Sequence, residues 1–128
     1  MTPPTPIRTD AAPRGTGAYS QAIRAGDFVF VSGQGPLDPQ TLEVRGATVT
    51  EQTELTLGNL AAIAQASGGS LADVVKVSAF LSSIDLFAEF NAAYEKAFAE
   101  PRPARTTTGA ELRDILVEFD AVLYLPQP

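Results

Sequence analysis

The sequence predicts an α+β fold: a mixed β-sheet with two helices packed on one face. Two observations carry this. The chain reads in the order strand, hairpin, helix, strand, helix, hairpin. Each helix therefore serves as a crossover between strands, and two antiparallel pairs complete the sheet. The strand Phe28 to Ser32 is also apolar on both sides, with Phe28 and Phe30 on one and Val29 and Val31 on the other. Both faces then need cover. Helices supply one side, and a chain this short has nothing left for the other, which points to a second subunit.

At 128 residues the chain is expected to form one domain, residues 1–128, with a single sizeable core. Residues 1–6, which hold three prolines, read as a flexible tail. The net charge of −6 argues against a broad nucleic-acid face, which would need clustered Lys and Arg. There is no Cys, which removes disulfides, thiolate catalysis and cysteine metal sites, and no His, the commonest general base and metal ligand. The N-terminal segment lacks the pattern of a signal peptide, and no apolar run reaches the roughly 18 residues of a membrane span. The expected setting is the cytoplasm, without membrane attachment.

Taken in order, Ile7 to Thr9 read as a short first strand, and the polar stretch from Asp10 to Thr16 reads as a loop. Ala22 to Ala25 and Phe28 to Ser32 flank the turn pair Gly26-Asp27 and predict a hairpin. Thr48 with Glu51 three residues on forms a capping box. It opens a helix to about Ser67, whose buried stripe is Val49, Thr53, Leu57, Leu60, Ala61 and Ala64. Gly68-Gly69 ends it. Val74 to Leu81 is β-branched and strand-like, with Val75, Val77, Ala79 and Leu81 on its apolar face. Asp85 reads as the N-cap of a second helix, Leu86 to Phe98, with a stripe of Phe87, Phe90, Ala93, Tyr94 and Ala97. Pro101 and Pro103 stop it.

Arg105 to Ala110 and Ile115 to Leu123 read as a last hairpin joined at Glu111 to Asp114. With the turn centred between Leu112 and Arg113, Thr107 faces Glu118 and Arg105 faces Asp120. Ile115, Val117, Phe119, Ala121 and Leu123 then line the core, and Arg105, Thr107, Glu118 and Asp120 cluster on the face away from the helices. Such a cluster suits chemistry without His or Cys. On composition alone it reads first as an ion-pair network at a rim, since a lone Arg–carboxylate pair is commonly structural.

Four segments carry a resemblance: Gly17-Ala18-Tyr19-Ser20-Gln21-Ala22, the stretch Phe30 to Pro39 with Val31-Ser32-Gly33-Gln34, Phe90-Asn91-Ala92-Ala93-Tyr94-Glu95, and Pro103-Ala104-Arg105-Thr106-Thr107. Together they resemble the RidA/YjgF family over nearly the whole chain. The resemblance implies a chorismate-mutase-like fold and a homotrimer with clefts at subunit interfaces. It also implies hydrolysis of 2-imino or 2-enamino acids such as 2-aminoacrylate to 2-keto acids, with no metal or cofactor. By the same resemblance, Arg105 would clamp the substrate carboxylate and Glu118 would position or activate water. Tyr19, Ser32, Gly33, Asn91 and Thr107 would line the cleft. Thr107 stands where the family often has cysteine, Ala18 replaces a proline and Gly35 replaces an apolar residue, which puts the substrate range in question. The alternatives are a small-carboxylate binder with little turnover and, against the acidic balance, an endoribonuclease.

Overall fold

The computed structural model describes residues 2–128. Six strands form one sheet: β1 Thr5–Ile7, β2 Ala22–Ala25, β3 Phe28–Gln34, β4 Val74–Leu81, β5 Ala104–Gly109 and β6 Val117–Tyr124. Their order across the sheet is β1-β2-β3-β6-β4-β5. Only β4 and β5 run parallel; the other neighbours are antiparallel. Helices α1, Val49–Ala66, and α2, Phe87–Ala97, cover one face. Val29, Val77, Leu81, Val117, Phe119 and Leu123 point up into them and are fully buried.

The helix starts follow from local chemistry. Thr48 accepts from the Glu51 amide at 3.1 Å while Glu51 accepts from the Thr48 amide at 3.1 Å, closing the expected capping box. The buried side of α1 is wider than the expected stripe. It includes Gln52, Thr56, Asn59 and Ile63, while Ala61 is only half-buried. Two of those polar residues brace loops. Asn59 donates to the carbonyls of Gly35 and Leu37 at 2.9 and 3.0 Å. Gln52 donates to Gly46 and accepts from the Leu116 amide.

Several sequence expectations are corrected. The first strand is Thr5–Ile7 rather than Ile7 to Thr9, so Thr5 and Pro6 pair with Arg24 and Ile23 instead of belonging to a tail. Pro6 is tolerated because β1 is an edge strand. Met1, the first residue of that expected tail, lies outside the described residues. The cap before the second helix is Ser83, whose hydroxyl accepts from the Asp85 amide at 3.2 Å and opens a short 3-10 turn leading into α2. In β4 an extra residue sits between Val74 and Lys76. This bulge buries Val74 and leaves Val75 exposed.

The largest correction concerns the last two strands, which do not form a hairpin. β5 pairs with β4, and β6 lies between β3 and β4. The connection between them arcs over the end of β4, where the Ala110 amide donates to Leu81 and the Ser82 amide donates to Leu116. A short polar link between two strand-like segments looks like a hairpin turn in sequence. Here α2 delivers β5 to the free edge of β4, and both edges of β6 are already taken.

The face away from the helices carries Phe28, Phe30, Val75 and Tyr124, each about two-fifths to half exposed. No helix among the described residues is long and apolar enough to cross a membrane.

Candidate functional site

Strand register decides where the candidate residues point. Arg105 lies beside Val77 and Thr107 beside Ala79, and both of those partners are buried under the helices. Glu118 lies beside Phe80 and Asp120 beside Ser78, on the other face. Within one chain, then, Arg105 and Glu118 occupy opposite faces of the sheet, and the expected four-residue cluster does not form. Two half-sites take its place.

The first is at the β5 edge against α2. The Arg105 guanidinium donates to Asn91 Oδ1 at 2.9 Å. It lies over three rings, with its carbon 4.7 Å from the Tyr94 centroid, 5.2 Å from Phe90 and 5.5 Å from Phe87. Asn91 and Tyr94 are three apart on α2, which puts both on the side facing the arginine. Cation–π contact and one amide hold the group, and among the described residues it has no ion-pair partner. Nearby Arg102 is occupied by Glu95 and Glu100. Arg105, Asn91, Tyr94 and Arg102 border an open pocket of about 320 Å³. Burial pushes the Tyr94 phenol up to about 12, with Arg105 opposing it in part, so the hydroxyl stays protonated. Among the described residues, neither that hydroxyl nor the buried Thr107 hydroxyl has a hydrogen-bond partner.

The second half-site is built on a bulge in β3. Val31 pairs with Ala121 and Gln34 with Phe119, so one extra residue falls at Ser32-Gly33. A Cβ on Gly33 would lie 2.6 Å from Glu118 Oε2, so the glycine is what admits the carboxylate against the β3 backbone. Burial, and after it the neighbouring Asp120 carboxylate, raise the Glu118 carboxyl above its usual value. Ser32 donates from its hydroxyl to the Ser20 carbonyl at 2.5 Å, and its amide donates to Gln21 at 2.9 Å. Ser32 therefore fastens the loop that presents Tyr19, whose ring is half exposed. Tyr19 and Gly33 border one small cleft.

Sequence reasoning missed two residues that shape these half-sites. Tyr94 read only as part of a helix stripe, although its spacing from Asn91 was the available signal. Gln21 falls within the Tyr19 motif, and nothing in the sequence assigns it a role. Its buried amide accepts from the Thr9 amide and donates to the carbonyls of Thr9, Ala12 and Pro13, which sets the course of the loop. Among the described residues, no group of three or more acidic, His or Cys side chains could hold a metal.

An α+β sheet with an unpaired arginine on one face and a partly buried carboxylate on the other defines a small protein with two half-sites in each chain. The family model described as Endoribonuclease L-PSP matches residues 9–124. The chain belongs to that family, the YjgF/RidA family. A RutC family protein of Pyrococcus abyssi is 42% identical over 120 residues, covering 92% of this chain and 94% of that one. The crystal structure of RidA from Psychrobacter sp. PAMC 21119 is 38% identical with a TM-score of 0.90, covering 94% and 99%. E. coli TdcF, solved with bound serine, is 32% identical with a TM-score of 0.86, covering 94% and 98%.

Proposed function

We propose that this protein hydrolyses 2-imino and 2-enamino acids to 2-keto acids and ammonia, in a homotrimer whose clefts join the two half-sites across subunits. Arg105, Asn91 and Thr107 of one copy face Tyr19, Ser32, Gly33 and Glu118 of the next. The observation that carries this reading is the Arg105 guanidinium. It is fixed by Asn91 and three rings, has no carboxylate partner among the described residues and borders an open pocket. A bidentate substrate carboxylate is the ligand its remaining donors fit. The second subunit is supported by the apolar, exposed helix-free face and by the opposite facing of Arg105 and Glu118.

The chemistry needs little else. An enamine accepts a proton at C3 to become the iminium. A water oriented by the Glu118 carboxylate attacks C2, the C–O bond forms, and the C=N electron pair moves to nitrogen. The water's proton passes to the carboxylate. The carboxylic acid so formed protonates the carbinolamine nitrogen; the hydroxyl then gives up its proton to the carboxylate as the C–N bond breaks, leaving the ketone and ammonia, and the carboxyl returns that proton to solvent. An electrophile this reactive needs positioning rather than a covalent nucleophile, which suits a chain without His or Cys.

The test is ammonia release from 2-aminoacrylate generated in situ. Arg105→Ala is expected to lower kcat/KM by roughly a hundredfold or more, the scale of a lost charge-assisted carboxylate anchor. An unchanged rate would rule the reading out. Binding of small carboxylates with little turnover is the second reading, favoured by the serine in the TdcF structure. Saturable calorimetric binding of 2-keto acids with no deamination would select it. RNA cleavage, named in the family description, has less support in a chain of net charge −6.

A further inference from the structure

The loop that presents Tyr19 also carries Arg14, and Arg8 stands at its start. Both arginines border a pocket of about 310 Å³ together with Tyr19 and Ser20. Both are exposed, and among the described residues neither forms an ion pair or a side-chain hydrogen bond. One carboxylate, Asp10, borders the same pocket. Two guanidinium groups against one carboxylate leave it positive, in a chain whose net charge is −6.

The loop is braced. Gln21 ties it at Thr9, Ala12 and Pro13, Gln40 donates to the Asp10 carbonyl at 3.2 Å, and Ser32 holds Ser20. The pocket shares a wall with the small cleft beside the Glu118 half-site. Arg14, Gly15 and Tyr19 border both this pocket and the small cleft that reaches Gly33, and Gly33 lies against the Glu118 carboxylate. Tyr19 thus stands between the water-positioning carboxylate and a cationic recess.

We propose that Arg8 and Arg14 form a second anion subsite that binds the distal carboxylate of the substrate, so that the preferred substrates are 2-imino dicarboxylic acids. This rests on the reading of Arg105 as the anchor for the first carboxylate. A substrate held at both ends keeps its C2 beside Glu118, and guanidinium groups recognise carboxylates by paired donors. Monocarboxylic imines leave the recess to water.

Calorimetry on the intact protein with 2-oxoglutarate and 2-oxobutanoate, the dicarboxylic and monocarboxylic product types, tests this without requiring turnover. The wild type is expected to bind 2-oxoglutarate roughly ten- to hundredfold more tightly, the scale of one or two added charge-assisted hydrogen bonds. Arg8→Ala/Arg14→Ala is expected to remove that preference and leave 2-oxobutanoate affinity unchanged. Equal affinity for the two keto acids in the wild type, or a preference that survives the double variant, would overturn the subsite. Failure of the hydrolase reading looks different: the arginine-dependent preference remains, while imines generated from aspartate or alanine release ammonia no faster than the uncatalysed control.

Discussion

Glu118 illustrates how single-residue chemistry depends on placement. Its carboxyl is raised first by burial and then by Asp120, two residues away on the same face. A raised carboxyl favours the protonated form in the folded state. Its stabilising contribution is therefore complete below the ordinary glutamate range and lost as pH rises through the raised value. In the proposed hydrolysis activity runs the other way, because there water activation needs the carboxylate. The acid limb of kcat/KM is expected above the usual glutamate range, and Asp120→Asn, which removes the like charge, is expected to move it to lower pH. A pH–rate profile of both proteins checks this, and a limb that stays put in the variant would assign it to another group. Asn91 is legible in sequence as an unfavourable mid-helix residue awaiting a tertiary partner. That its partner is Arg105 is not, because nothing local indicates which way β5 faces.

At the scale of elements, a bulge in β3 shapes the Glu118 half-site. It turns Ser32 toward the Tyr19 loop and leaves Gly33 against Glu118. Gly33→Ala is expected to leave the fold intact, since its Cβ meets the movable end of a side chain. It is expected to cut kcat at least tenfold by displacing the Glu118 carboxylate. Unchanged kcat with an unchanged melting temperature would show that the contact is immaterial. Gln21 makes a different prediction. Gln21→Ala strands buried carbonyls of Ala12 and Pro13 and the Thr9 amide, at a cost of about 1–3 kcal/mol measured by chemical denaturation. Helix boundaries, the capping box of α1 and most buried stripes were readable from local pattern, whereas the cap before α2 falls on Ser83 rather than Asp85. The bulges were not, because one inserted residue leaves no mark on composition.

For the whole molecule, the separation of the half-sites is the main result. From β6 to β5 there are two strand spacings, roughly 10 Å, and the two side chains point to opposite faces. If neighbouring copies complete each cleft, two inactive variants can complement each other. Refolding Arg105→Ala with Glu118→Gln at equal amounts is expected to restore roughly a quarter of wild-type sites, by random assortment around a symmetric ring. Either variant refolded alone is expected to stay inactive. A mixture no more active than its components would overturn the shared cleft.

The sequence by itself determined the class of fold, the two helices and the capping box of the first, the apolar second face of the sheet and the identity of the residues able to do chemistry. These depend on local periodicity, capping and composition, which act over a few neighbouring residues. Only the tertiary structure decided that β5 joins β4 rather than β6, that Arg105 turns toward α2 while Glu118 turns away, and that Arg8, Arg14 and Tyr19 share a pocket. Strand partners are chosen by which sheet edge is free once the helices have packed. Facing then follows from register, where the insertion of one residue reverses it.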